Sequence, residues 1–333
     1  MIAEAIRDLG FAGAREPLSG APLSGGVSCD IWRIDLPSGP VCAKRALPKL
    51  RVAEDWFAPT NRIDLEAAYF RFVGGLQPGA VPGVLGYHPA LGVLVTRYLP
   101  PATHTVWKEE LKNGVVRTDL IMKLAALLRR VHDRSHGNAP LKAQFYKPDL
   151  IFSLRLSPYF LATANVHSDM EVELSGLVRQ FQDNCHWLVH GDFSPKNILF
   201  GPDAPVVLDA ECANFGDAAF DVAFCITHLF LKAVWMPQYT SAYREAFDVF
   251  AASYFANHRD AELEARAARY LAGLMLARID GKSPVEYISD TADKDAVRAF
   301  ARAHLATPAS RLGDMADSWF RQWADRSERG AAS

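Results

Sequence analysis

The chain has 333 residues, half of them hydrophobic and 22% charged, with a formal net charge of -2 at pH 7. That is enough chain for one large domain or two ordinary ones, and the near-neutral balance offers no basic face for nucleic-acid phosphates. The five cysteines (Cys29, Cys42, Cys185, Cys212, Cys225) are scattered without a Cys-x-x-Cys pair, which excludes a disulfide framework or zinc site and fits a reducing compartment.

In chain order, the first ten residues break their apolar run with charge too early for a signal peptide, so the expected location is cytoplasmic. A Gly-rich stretch, Leu23-Ser24-Gly25-Gly26-Val27-Ser28, precedes two apolar runs at 31–36 and 41–44. These are split by Pro37-Ser38-Gly39-Pro40 and read as a β-hairpin that ends on Lys44. Residues 63–73 repeat apolar positions at helical spacing and carry Asp64 and Glu66 early, so they predict a helix. Residues 91–99 predict a strand that stops at Pro100-Pro101, because proline continues neither a sheet ladder nor a helix interior. The expected division is therefore a β-rich region at 1–100 and a larger, mainly helical region at 101–333. In the second region 120–132 is a strongly amphipathic helix, and 187–190 and 206–209 are short strands around a loop. From Phe220 onward the pattern is helical, and 220–235, interrupted by Asp221, His228 and Lys232, reads as a buried helix and not a membrane span.

Chemistry concentrates in His190-Gly191-Asp192-Phe193-Ser194-Pro195-Lys196-Asn197 and the following Leu208-Asp209-Ala210-Glu211. Phosphoryl transfer to an alcohol needs a carboxylate to orient the attacking hydroxyl and take its proton. It also needs oxygen ligands that hold Mg²⁺ against phosphate oxygens. Asp192 and Asn197 have the spacing of the H-x-D-x-x-x-x-N loop of kinases, and Asp209 falls where the second metal ligand belongs. Asn197, Asp209 and Glu211 are hard oxygen donors, with 209 and 211 expected on one side of an extended segment. A polar turn with Asp192 as a cap would explain an isolated Asp-x-x-x-x-Asn. It does not explain the preceding His-Gly together with the later Asp.

The His-Gly-Asp form of this loop resembles the aminoglycoside phosphotransferase and choline kinase superfamily of small-molecule kinases, over about Leu23 to Tyr287. The resemblance implies an α+β, protein-kinase-like two-lobed fold. Its N-lobe is a small antiparallel sheet with one helix, and its C-lobe is larger and mainly helical. It implies ATP and Mg²⁺ as cofactors, with the phosphates under Ser24, Gly25, Gly26 and Ser28, and Lys44 on the α- and β-phosphates braced by Glu66. The hinge at 96–99, including Arg97 and Leu99, would bond adenine. Asp192 is the implied catalytic residue, and Asn197, Asp209 and Glu211 the implied metal ligands. His132 is expected to pack or cap, and Asp217 and Asp221 to brace the catalytic loop.

Within the superfamily, Asp209-x-Glu211, the segment after Lys44 with Trp56 and Arg62, and Leu276-Ala277-Arg278 are similar to the methylthioribose kinase branch, where Arg278 would contact the sugar. Ser194-Pro195-Lys196-Asn197 departs from the His-Thr-Gly-Ser typical of that branch, and the chain is shorter, so the ATP site carries over more readily than the acceptor. The expected partner is a small-molecule hydroxyl substrate, a sugar or polyol, with no nucleic acid and no membrane. The oligomeric state is open, a homodimer included, as is ATP against GTP. Three alternatives stand beside this reading. An aminoglycoside O-phosphotransferase would need an acidic cleft, and 241–290 mixes Glu262 and Glu264 with Arg266 and Arg269. A choline or amino-alcohol kinase would need an aromatic cage such as Trp235, Tyr239 and Tyr243. A nucleotide-binding pseudokinase would lack part of the set Lys44, Asp192, Asn197 and Asp209. Gly281-Lys282-Ser283 is not a P-loop, since Leu276 stands where its first glycine belongs.

Overall fold

The computed structural model describes residues 1–23, 28–51, 56–256 and 260–331. The mixed α+β chain opens with α1 (Ile2–Asp8) and then builds an antiparallel sheet. Its strands are β1 (Ser19–Pro22), β2 (Cys29–Leu36), β3 (Gly39–Ala46), β4 (Val84–His88) and β5 (Val93–Arg97), in the order β1-β2-β3-β5-β4. The β2–β3 hairpin is tighter than the expected four-residue break. Leu36 pairs with Gly39, leaving Pro37-Ser38 as the turn, because Gly39 takes a φ of 112° that lets residues 39 and 40 join the strand. β1 was not anticipated; it tolerates Pro22 because it lies at the sheet edge. β5 ends at Arg97, so Tyr98-Leu99 run free of the ladder.

The two faces of this sheet are covered by different helices. α1 places buried Ala5 and Ile6 against Ile34, Val41 and Val95. On the other side α2 (Arg62–Leu76) buries Ile63, Ala67, Phe70 and Val73, and the same inward face carries Glu66.

Beyond Pro101 follow β6 (Thr105–Val106), α3 (Trp107–Lys112), α4 (Thr118–Ser135), α5 (Ala139–Phe145), α6 (Pro148–Ile151) and a π-helical segment, Phe152–Leu161. Next come α7 (Ala162–Val166), α8 (Glu171–Asp183), β7 (Trp187–Val189), β8 (Ile198–Phe200), β9 (Pro205–Val207) and β10 (Asn214–Gly216). The chain ends in α9 (Ala218–Trp235), α10 (Thr240–Tyr254), α11 (Ala261–Asp280), α12 (Thr291–Ala306) and α13 (Leu312–Ala331). Among the described residues α9 alone is long and apolar enough to cross a membrane, but 89% of it is buried inside the protein. α11 and α10 pack along its sides, and Trp319 of α13 donates its indole N–H to the Phe230 carbonyl at 2.9 Å. One apolar cluster runs from Cys29 and Ala46 in the first sheet to Trp323 in the last helix, so the two regions share a core.

Candidate active site

The loop 190–197 leaves β7 and enters β8, held between a two-stranded sheet (β7–β10) and a three-stranded one (β6-β8-β9). Gly191 sets its turn. It has a φ of 76°, and a Cβ there would lie 2.6 Å from the Cys212 carbonyl oxygen, so glycine is required on both counts. Asp221, in the first turn of α9, accepts the backbone N–H groups of His190 at 2.6 Å and Gly191 at 2.9 Å. His132 of α4 reaches the same carboxylate at 3.4 Å and meets the Tyr254 hydroxyl at 2.7 Å on its other nitrogen. His190 accepts the Asp192 N–H through Nδ1 and so donates Nε2–H to the Leu208 carbonyl at 2.9 Å; burial lowers its pKa and keeps it neutral in that tautomer. Asp217 does something else. It caps α9 by accepting from Ala219 and pairs with Arg266 at 2.9 Å, so it ties α11 to α9 without touching the loop.

Asp192 is buried, 4% exposed, and its Oδ2 faces two cations at 3.0 Å each, Arg155 Nη2 and Lys196 Nζ. Burial alone would raise its pKa; Lys196 and Arg155 outweigh that and hold the carboxyl well below the usual carboxylate range. Sequence reasoning gave neither cation a role. Lys196, four residues after Asp192, was visible in the loop. Arg155 comes from the π-helical segment and also donates Nε–H to the Gly191 carbonyl at 2.7 Å, a contact no local pattern announces. Asn197 commits its amide nitrogen to the Asp192 carbonyl at 3.0 Å, so its side-chain oxygen is the atom available to a hard cation.

Asp209 follows β9 with a φ of 61°, the one non-glycine residue in the left-handed region among those described. That conformation costs on the order of 1–3 kcal/mol and persists only where the surroundings impose it. Here Lys44 of β3 contacts Asp209 Oδ1 and lies 2.7 Å from Glu66 Oε2. One ammonium thus serves two carboxylates. Burial, with Asp209 nearby, pushes Glu66 up to about 7 against the pull of Lys44. Burial works against charge on Lys44 too, but Asp209 and Glu66 outweigh it and keep Lys44 protonated.

These groups face one cleft of about 270 Å³, lined by Lys44, Glu66, Lys196, Asn197 and Asp209 together with 96–99 and apolar side chains such as Ile31 and Leu208. Arg97 and Leu99 both line it, although the Arg97 N–H already donates to the Gly83 carbonyl at 2.9 Å. Ser24, Gly25 and Gly26 lie outside the described residues. Ser28 is described, and its carbonyl accepts from Arg62 Nη2 at 2.6 Å.

Glu211 requires a correction. Residues 209 and 211 do not share one side of an extended segment, because the left-handed Asp209 turns the chain. Glu211 Oε2 instead accepts from Arg62 Nε at 2.9 Å and from the Cys29 thiol at 3.3 Å, away from the cleft lining. The other Arg62 N–H groups go to the carbonyls of Ser28, Leu47, Ala58 and Pro59, so Arg62–Glu211 is a strut between the two regions. Among the described residues no group of three His, Cys, Asp or Glu is arranged around a metal. The remaining pair, Asn197 and Asp209, still suits Mg²⁺, which completes its octahedron with phosphate oxygens and water.

Tyr159, His228, Lys232 and Arg278 form a further group of polar and aromatic side chains in the helical region. Arg278 donates Nη1–H to Ser283 Oγ at 2.9 Å and lies over the Tyr159 ring at 5.9 Å. The charges acting on His228 are those of Arg278, Asp192, Lys196 and Lys232, and burial, with Arg278 next, holds its pKa well below the ordinary value. The three aromatics that might have formed a cage do not. Tyr243 is buried and donates to the Leu111 carbonyl at 2.8 Å, and Tyr239 lies against Gly114. Trp235 instead lies tilted against Tyr287, ring centroids 4.7 Å apart, and Lys232 Nζ sits over both rings, at 4.9 and 5.5 Å.

Comparison with known proteins gives the same direction. The profile of the phosphotransferase enzyme family matches residues 19–263. Methylthioribose kinase 1 of Oryza sativa subsp. japonica is 26% identical over 224 residues, covering 58% of this chain and 51% of the relative. Methylthioribose kinase of Pectobacterium atrosepticum is 25% identical over 224 residues, covering 59% and 55%. The chain thus spans little more than half the length of these curated relatives. A choline/ethanolamine kinase family protein from Mesorhizobium loti superposes with a TM-score of 0.55 at 19% identity, covering 97% of this chain and 100% of that one. An amicoumacin kinase in complex with AMP-PNP and Ca²⁺ superposes with a TM-score of 0.58 at 12% identity, covering 93% and 95%. At these identities the likeness establishes the kinase-like fold.

Proposed function

The chain belongs to the phosphotransferase enzyme family, and from that premise we propose that it transfers the γ-phosphoryl group of ATP to a hydroxyl of a small sugar or polyol, methylthioribose-like in kind. The observation that carries the reading is the convergence of Lys44, Asn197 and Asp209 on one cleft, with Asp192 joined to it through Lys196. Residues 1–100 act as the nucleotide lobe and 101–333 as the acceptor lobe.

In this reading adenine lies against 96–99, and Lys44, held by Glu66, turns from Asp209 to the ATP phosphates. Asn197 and Asp209 would hold Mg²⁺, which when bound would supply neutralisation of the charge on the transferred group. The acceptor oxygen bonds to the γ-phosphorus as the bond to the β-γ bridging oxygen breaks, and that electron pair leaves on ADP. Asp192 is held ionised by Lys196 and Arg155, so it is a weak base whose main task is to orient the hydroxyl and receive its proton late in the transfer. Lys196, half exposed at the cleft and next to both carboxylates, is placed to meet the moving phosphoryl group.

The acceptor side favours a sugar or polyol over the cationic alternatives. Arg155 and Lys196 pair with Asp192, and Arg278, Lys196 and Lys232 act on His228, an excess of positive charge that repels a polycation such as an aminoglycoside. The ring pair of Trp235 and Tyr287, which would otherwise suit a quaternary ammonium group, is already filled by Lys232. The test is Mg²⁺-dependent ADP release against sugars, polyols, amino alcohols and aminoglycosides, with Asp192→Ala as blank. Turnover with a sugar or polyol that vanishes in the variant supports the reading; ATP binding without any turnover turns it toward a nucleotide-binding protein that does no transfer.

A further inference from the structure

The acceptor side holds polar groups that the phosphoryl-transfer machinery does not use. Lys232 is 1% exposed, and its Nζ is buried without a hydrogen-bond partner. The Tyr287 hydroxyl and Arg278 Nε are buried and unpartnered in the same way. A buried ammonium with no acceptor is costly, on the order of several kcal/mol, and such a group calls for a reason, of which completion by a bound ion or ligand is one.

Their placement follows from α9. Asp221 in its first turn holds the catalytic loop, and His228 and Lys232 are one turn apart and so share a face. The charges of Arg278, Asp192, Lys196 and Lys232 all act on buried His228, so the reacting carboxylate and the unpartnered cations belong to one electrostatic neighbourhood. Tyr287 links the two, since its ring lies under Lys232 and its hydroxyl is influenced by Arg278.

We propose that the acceptor is a polyhydroxy compound with an anionic group remote from its reacting hydroxyl, and that Lys232, Arg278 and the Tyr287 hydroxyl bind that anion while Asp192 receives the hydroxyl. This rests on the kinase reading above and narrows its substrate class from neutral polyols to their acids. A carboxylate or a phosphate monoester would satisfy the same three donors. Burial, with Lys108 and Lys112 nearby, lowers the Lys232 pKa to about 8 against the opposing pull of Glu109, so the ammonium is still charged at neutral pH and gains from an anion in hydrogen-bond reach.

Matched pairs test it: ribose with ribonate, glucose with gluconate, and ribose 5-phosphate as the second source of anion. Each is titrated calorimetrically into the full chain saturated with Mg²⁺ and AMP-PNP, and each is also assayed for ADP release with ATP. At least one acid should bind about tenfold or more tightly than its neutral twin, the size of a charge-assisted hydrogen bond, and ribonate against ribose 5-phosphate distinguishes the anion. Lys232→Met should abolish the preference while melting no lower than the parent chain, and Tyr287→Phe should reduce it with little change in fold. Equal or tighter binding of the neutral twins, or no binding of any acid, overturns the inference. ADP release judges the kinase reading separately. Neutral twins phosphorylated as well as the acids would keep that reading and sink this one; acids bound without ADP release would do the reverse.

Discussion

Replacing Asp192 by Asn preserves the shape of the side chain and removes the charge that Arg155 and Lys196 share. The two pairs differ in weight. Lys196 is 54% exposed, so its partnership contributes at most about 1 kcal/mol to stability. Arg155 is only 11% exposed, and leaving a buried guanidinium facing a neutral amide costs about 3 kcal/mol, which lowers Tm by a few degrees. The kinetic loss is larger, because removing a proton acceptor placed at the reacting group lowers kcat by roughly 10²–10⁴. The assay is ADP release at saturating ATP, with melting curves recorded with and without nucleotide. Asp192→Asn should retain the stabilisation that ATP confers while losing turnover. Turnover within about threefold of the parent would refute the assignment, since general-base losses are larger than that. Loss of ATP stabilisation as well would mean that the loop had collapsed. The pH profile gives an independent check. A carboxyl depressed in the folded state stabilises above its unfolded pKa of about 3.9, and that contribution is lost as pH falls through the lower folded value. The parent and Asp192→Asn curves should therefore run parallel from pH 6 to 8 and converge only in acid.

Glu66→Gln should weaken ATP binding about tenfold by freeing Lys44, read by nucleotide titration; unchanged affinity would remove the brace. Gly191→Ala should destabilise the chain by about 3 kcal/mol or prevent folding, because it meets both a positive φ and the Cys212 carbonyl; denaturant melting showing less than 1 kcal/mol would contradict that contact. Glu211→Gln should lower Tm by weakening the strut to Arg62 yet leave the Mg²⁺ concentration for half-maximal activity unchanged. A severalfold rise in that requirement would return Glu211 to the metal.

What could be read from the chain was what is local. The loop from His190 to Asn197 and the hairpin ending in Lys44 each announce themselves within a few residues, and α2 shows its helical period in the same way. Glu211 was misplaced for a local reason too: assuming an extended backbone made 209 and 211 neighbours, whereas Asp209 adopts a conformation that non-glycine residues rarely take. The roles of Arg155 and Arg62 are not legible in the sequence because they lie in tertiary contacts. Arg155 is an unremarked arginine and Arg62 only part of a branch resemblance until the fold brings Arg155 to Asp192 and Arg62 to Glu211. Lys232 shows the opposite problem. It looked like a charge interrupting an apolar run, and only the fold reveals that it is buried, unpartnered and seated on two rings.

The contact between Lys44 and Asp209 makes nucleotide arrival an exchange and not an addition. The cleft is its own electrolyte: the cation meant for phosphate oxygens is already neutralised by the carboxylate meant for the metal. In the proposed reading, entry of ATP with Mg²⁺ would break that internal pair and form two external ones, so the number of opposite-charge contacts would rise. Added salt weakens the pair that is lost along with the pairs that are gained. Nucleotide affinity should therefore fall with ionic strength less steeply than two new ion pairs alone would give, and mutations at either end of the pair should change the affinity for the partner of the other.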